Sequence, residues 1–180
     1  MAVMSVTPGG CASGPAAARS EPSLPAGLEP LSGEEEAVIR SLARALMLLN
    51  RALDVDLVRE QRMSLSEYTV LRKLSEAPCR MLRMTELAGK CDMSLSGMTR
   101  LVGKLVSEGF VARVRCEDDA RGANAVLTDA GLARLQQAWP THLASVRRHV
   151  FDHLGELDLC SLAHALQSIA TSAETVPPTR

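Results

Sequence analysis

Between Ser94 and Ser107 the chain places Met98, Leu101, Val102, Leu105 and Val106 at steps of three and four, the apolar stripe of a helix. The other face offers Ser94, Ser96, Gly97, Arg100, Lys104 and Ser107, with Thr99 beside them. Hydroxyls and a guanidinium near a helix start are the groups that reach base edges in a DNA major groove. Small residues at Ser96 and Gly97 permit close approach. Arg100 suits a guanine edge or a phosphate, and Lys104 suits a phosphate. A polar helix face is also common on any soluble protein, so its surroundings decide the reading.

Those surroundings are specific. Upstream, Thr85 is expected to cap a brief helix carrying Leu87 and Ala88 to about Lys90, and Cys91 to Met93 make a turn onto the Ser94 cap. Downstream, Gly109 occupies a helix C-terminus that favours a left-handed residue. Phe110 to Arg115 reads as a strand, Glu117 to Asn124 with Gly122 as a hairpin tip, and Ala125 to Leu127 as the return. Two short helices, a tight turn and a hairpin form a winged helix-turn-helix. Arg121, near the tip, suits a narrow minor groove. Asp119 can hold Arg121 or Arg113 through a charge-assisted hydrogen bond.

Long helices must flank and position this motif. Val38, Leu42, Leu46, Leu49, Leu53 and Leu57 form one stripe ending near Gln61. Ser64 and Glu67 make a capping box for a helix over Leu65 to Glu76, which Pro78 stops. A short extended piece, Arg80 to Met84, follows. After a Thr128 cap, Leu132, Leu135, Trp139, Leu143, Val146, Val150 and Leu154 form a second long stripe, with a kink expected at Pro140. Leu159, Leu162, Leu166 and Ile169 outline a last helix. The fold class is thus mainly α with a small β-hairpin wing. Residues 1–30 read as a disordered tail, 62–127 as the winged motif, and 34–61 with 128–173 as a helical dimerisation region. Two apolar stripes exceed what so small a motif covers, which predicts a two-fold homodimer. Its reading helices should then lie about one DNA turn, roughly 34 Å, apart.

Composition narrows the classes. The chain has 180 residues, 46% of them apolar, and a net charge of −1. Residues 62–121 hold 11 Lys and Arg against 8 Asp and Glu, a local +3 that leaves −4 elsewhere; this modest basic patch fits a module meeting phosphates through one face, though charge alone does not establish it. The four aromatic residues (Tyr68, Phe110, Trp139, Phe151) are dispersed, which favours duplex DNA over stacked single strands. Five scattered cysteines without a C-x-x-C pair fit reduced thiols better than disulfides or zinc. No apolar run approaches the ~18 residues of a membrane span, and the N-terminus lacks a signal-peptide pattern, so a cytoplasmic protein is expected. No nucleophile elbow, Gly-rich phosphate loop or metal-ligand motif points to an enzyme.

The order and spacing of five segments resemble the MarR family of bacterial regulators. They are Met84-Thr85-Glu86-Leu87-Ala88, Ser94 to Val102, Glu108-Gly109-Phe110-Val111, Asp119-Ala120-Arg121 and Val126-Leu127-Thr128. The resemblance runs from about Glu34 to Thr171. It implies a homodimer with interlocked first and last helices, presenting two winged motifs to a palindromic operator. It also implies that Asp119 and Arg121 belong to the family's D-x-R wing motif, and that repression is the commoner outcome.

The signal is less legible. His142, His149 and His153 fall within about 40° on a regular helix, and His149 and His153 at i and i+4 could share a metal ion. The pattern lacks the carboxylate of a zinc-binding helix, so a histidine face is the plainer reading and no metal or cofactor is expected. Cys79 beside Arg80 and Cys116 beside Arg115 are the thiols nearest positive charge, whereas Cys11 lies in the tail. A small organic effector, in a cleft lined by the first helix and the start of the second, is the default expectation. The rival non-enzymatic reading is a winged helix devoted to protein contacts. Arg100, Lys104 and Arg121 together argue against it.

Overall fold

A computed structural model describes residues 25, 27–115 and 123–174. The chain divides into two units, residues 1–40 and 41–180. Most of the tail expected over residues 1–30 lies outside the described residues.

The first unit contains the start of helix α1 (Gly33–Gln61). Ser32 and Glu35 satisfy each other there. The Ser32 backbone N–H donates to Glu35 Oε2 at 2.8 Å, and the Glu35 N–H donates to Ser32 Oγ at 3.2 Å. This reciprocal pair fills two of the orphan donors at a helix start. Glu34, Glu35 and Glu36 also suit the positive end of the helix dipole.

The second unit follows the expected order. Helix α2 (Leu65–Glu76) starts on the Ser64–Glu67 capping box and ends at Ala77, before Pro78. A 3-10 turn, Pro78–Arg80, leads into strand β1 (Met81–Arg83). Helices α3 (Met84–Lys90) and α4 (Leu95–Ser107) come next, then strands β2 (Val111–Arg115) and β3 (Ala123–Leu127). Helix α5 (Asp129–His149) starts on Thr128, and α6 (Leu159–Glu174) closes the series.

Two local expectations change. Thr85 lies inside α3, whose cap position is Arg83, without a capping side chain. The short extended piece before α3 is a strand as expected, paired antiparallel to β3 with Leu82 opposite Ala125. The sheet order is therefore β1-β3-β2. The second long stripe is broken at Val150 (φ −126°, ψ −70°), and Phe151–His153 form a 3-10 turn instead of a further helical turn. Helix α5 nevertheless continues through Pro140.

Period-two alternation turns Leu82, Val111, Ala125 and Leu127 inward. They join Tyr68, Val70, Leu71 and Leu74 of α2, Leu87 of α3, Met98, Val102 and Leu105 of α4, and Leu135 and Ala138 of α5 in one core. Helix α5 is pressed against the hairpin at Gly131. A Cβ built there would lie 2.1 Å from the Phe110 carbonyl oxygen and 2.8 Å from Leu127 Cδ1. Only glycine fits.

One face of α5 also grips the end of α1. Arg134 donates to both the side-chain and main-chain oxygens of Gln61, placing a cation at the negative end of α1. Gln61 in turn donates to Thr141 Oγ1 at 2.8 Å. Further along, Asp56 is buried and accepts from Ser145 Oγ and Arg148 at 2.6 Å each, pairs with His149 Nε2 at 3.0 Å, and meets Arg59 at 3.1 Å. The Ser145 bond, with those from His149 and Arg148, outweighs burial and holds the Asp56 carboxyl at about 2, below its ordinary 3.8.

These contacts predict two outcomes in urea denaturation. Gly131→Ala should lose at least about 2 kcal/mol by overpacking against backbone, while Gly89→Ala, with open space around it, should gain about 0.5–1 kcal/mol. Asp56→Asn should lose about 2 kcal/mol at neutral pH through its charge-assisted hydrogen bonds. Because the folded carboxyl is the stronger acid, that contribution is complete above about 3.8 and lost as pH falls toward 2. The wild-type and Asp56→Asn stabilities should therefore converge across that window.

Candidate nucleic-acid interface

The core-facing side of α4 leaves the other side open. Met98, Val102 and Leu105 are buried and Leu101 is half-buried, whereas Ser94, Ser96, Thr99, Arg100 and Lys104 are exposed. Ser94 caps the helix by accepting from the Gly97 N–H at 3.2 Å, and its hydroxyl lies 3.2 Å from that of Ser96. Gly97 keeps this corner narrow, since a Cβ there would sit 3.2 Å from Ser94 Oγ. The predicted small-residue edge is thus assembled at the helix start. Among the described residues, Arg100 enters no ion pair and no side-chain hydrogen bond.

Lys104 has a different setting from the one its sequence position suggests. Its ammonium donates to Glu67 Oε1 of α2 and lies 3.8 Å from Glu108 Oε1. Burial pushes the Glu67 carboxyl up, but the Lys104 ammonium and the Ser64 N–H and hydroxyl outweigh it and hold the group below its usual range. The same bond raises the Lys104 ammonium. Sequence reasoning identified Glu67 only as a capping residue, because a partner 37 residues away leaves no local pattern.

Arg113, expected to orient the wing, reaches back from β2 and donates to the Thr99 carbonyl of α4 at 2.7 Å. It therefore ties the base of the hairpin to α4. Strands β2 and β3 pair from Val111 with Leu127 to Arg115 with Ala123, which fixes the hairpin's register. Its tip, with Cys116, Asp119, Arg121 and Gly122, lies outside the described residues.

The three histidines part company. The ring of His142 packs against Tyr68 with centroids 4.4 Å apart, His149 pairs with Asp56, and His153 lies in the 3-10 turn beyond the break at Val150. The i, i+4 helical relation of His149 and His153 does not exist. Among the described residues no group of three or more His, Cys, Asp or Glu could hold a metal ion. Cys79 and Cys160 are exposed free thiols, and burial pushes the half-buried Cys91 thiol up.

Recesses border α2 on more than one side. One of about 370 Å³, between α2 and α5, is lined by Tyr68, Arg72, Ser75, Leu135, Gln136 and Trp139. Close by, the Tyr68 hydroxyl and His142 Nδ1 are buried without a partner among the described residues. Burial raises the Tyr68 phenol and lowers the His142 imidazole, so both are uncharged near neutrality. Pro140 has no N–H, which leaves the Gln136 carbonyl without its usual helical donor. Another recess, about 520 Å³, lies among Asn50 and Asp54 of α1, Leu65, Ser66 and Thr69 of α2, and the Cys91–Met93 turn. It lies along α1 and the start of α2, the elements from which an effector lining is expected.

Comparison with known proteins agrees with this architecture. Residues 63–122 match the family model described as MarR family. The chain is 32% identical over 84 residues to the HTH-type transcriptional repressor YetL of Bacillus subtilis, and the match spans 47% of this chain and 50% of that repressor. The chain thus spans about half the length of this curated relative. Among solved structures, AbsC, a MarR family transcriptional regulator from Streptomyces coelicolor, shares 33% identity at a TM-score of 0.74, covering 83% of this chain and all of that one. Sco3205, a MarR family transcriptional regulator from the same organism solved in complex with DNA, shares 37% identity at a TM-score of 0.73 over 85% of this chain and 94% of its own. Identity at that level across nearly the whole of a solved relative, with the same winged helix-turn-helix at its centre, means that this chain belongs to the MarR family.

Proposed function

We propose that this chain is a transcriptional regulator that binds a palindromic duplex-DNA operator as a homodimer, represses its promoter, and is released by a small organic effector. The observation that carries the reading is the open edge of α4, where Ser94, Ser96, Thr99 and the unpaired Arg100 stand together on a helix anchored from behind. Such an edge gives the Arg100 guanidinium to a base edge or phosphate without first breaking an internal ion pair. The DNA complex of the 37% identical Sco3205 supports it. The repressor name of YetL favours repression over activation.

The dimer reading is supported by apolar side chains that the single chain leaves uncovered. Leu46, Met47, Leu48, Val55 and Val58 of α1 are exposed, as are Leu159, Leu166 and Ile169 of α6. Two helices so populated on their outer faces favour a self-complementary two-fold contact. The effector reading rests on the recess between α2 and α5. Its apolar walls with a few inward polar groups are the usual composition of a small-molecule site. An effector acts there only by preferring the DNA-incompetent arrangement.

Selection from a randomised duplex pool should enrich one palindrome, and failure to enrich any sequence at low salt would leave the protein-contact reading in its place. On the selected duplex, Arg100→Ala should weaken binding by about 5- to 150-fold and relax preference at one base position per half-site. Trp139, the chain's single tryptophan, lines the α2–α5 recess. Compounds that release the operator should therefore shift its fluorescence; release with no change in emission would move the effector elsewhere.

A further inference from the structure

The reading helix is held from two sides, and one restraint uses a residue whose sequence position suggests DNA contact. Lys104 faces outward from α4 with a half-exposed side chain, yet its ammonium is bonded to Glu67, whose side chain is only 5% exposed. The other Glu67 oxygen accepts the Ser64 N–H at 2.8 Å, and without Lys104 a buried carboxylate would be left with no countercharge. Glu108 adds a third charge 3.8 Å from the ammonium. The cluster of Lys104, Glu67 and Glu108 thus carries a net −1, which offers a phosphate no electrostatic gain.

The pair also has a mechanical context. Ser64 and Glu67 form the N-terminal box of α2, and the N–H of Leu65, the first residue of α2, donates to Asp54 Oδ1 of α1 at 2.8 Å. A continuous polar chain therefore runs from α1 through the start of α2 to the third turn of α4. Arg113, bonded to the Thr99 carbonyl, restrains the same helix from the hairpin.

From this geometry we infer that Lys104 is a positioning residue, latched to Glu67 so as to fix α4 relative to α1 and α2, and that it does not contact a DNA phosphate. The inference rests on the DNA-binding reading above and deepens it.

The dependence of binding on salt separates the two roles, because a lysine that neutralises one phosphate contributes about 0.9 to the slope of log K against log salt. On the duplex selected by the wild-type protein, Lys104→Gln is expected to weaken binding about threefold to thirtyfold with the slope unchanged. Glu67→Gln should weaken it similarly, and the double variant should be no worse than either single one. Lys104→Arg, which keeps donors for Glu67, should restore affinity. A slope shallower by about 0.9 or more in Lys104→Gln, unchanged affinity in that variant, or tighter binding by Glu67→Gln each overturns the latch. If Glu67→Gln does not fold, the Lys104 variants decide alone. Hydrogen exchange of the DNA-free protein supplies a separate arm: Lys104→Gln should speed exchange of α4 amides and leave α5 unaltered. Unaltered α4 exchange sinks the latch even if wild-type protein selects no duplex, an outcome that counts against the function proposed above instead.

Discussion

A carboxylate that cannot reach water must be surrounded by donors, and Glu67 is the place where this protein meets that demand. Its two oxygens take the Ser64 N–H and the Lys104 ammonium, and these groups belong to the start of α2 and the middle of α4. Desolvation alone would drive the group toward its neutral form. Its carboxyl nevertheless lies below the usual range, because both partners are fixed in place by the helices they belong to. The dependence runs in both directions. The helices orient the donors, and the buried charge penalises any rearrangement that separates them.

Asp56 solves the same problem on the other side of α1, with Ser145, Arg148 and His149 of α5 as donors. Gln61 completes that contact through Arg134 and Thr141. The α5 partners, at positions 134, 141, 145 and 148, recur at intervals of seven, four and three, which is one helical face. Hydrophobic burial in the core is non-directional and tolerates some sliding of helix on helix. Paired buried charges do not, because their energy depends on each angle and distance. The geometry behind the reading edge is therefore set by polar contacts placed over an apolar core.

This division also explains what could be read from the sequence. Helices, caps and hairpin were legible because their signals are local: Ser64 with Glu67, Ser94 before Gly97, Thr128 before Gly131, and the apolar steps along α2 and α4. The small-residue edge with Arg100 was legible for the same reason. The duties of Lys104, Arg113 and Asp56 were hidden, since each depends on a partner far along the chain. Some trace existed. Asp56 falls on the same face as Leu53 and Leu57, where a carboxylate implies dedicated partners. Ser32 and Glu35 repeat the spacing that marked the start of α2. The break at Val150 left less trace, because the apolar steps continue through it to Leu154 while the backbone does not. That single backbone change removes the geometry on which a shared His149–His153 metal site depended.

The pairing of charges bears on how a nearly neutral chain would meet the DNA proposed for it. Within residues 62–121, Arg72 pairs with Glu76, Arg80 with Asp129, Lys90 with Glu86, and Lys104 with Glu67. Among the described residues of that segment, Arg62, Lys73, Arg83, Arg100 and Arg113 enter no ion pair, so the local excess of three positive charges rests on cations spread from α2 to β2. A surface of this kind gains little from bulk attraction, which weakens steeply as salt rises. It depends instead on where its donors stand, so a misplaced α4 costs more than it would in a strongly basic protein. In the proposed two-fold dimer that demand is amplified, since both edges would have to meet the duplex in register. Rigid anchoring of α4 by Glu67 and Arg113 is the structural counterpart of that sparse charge.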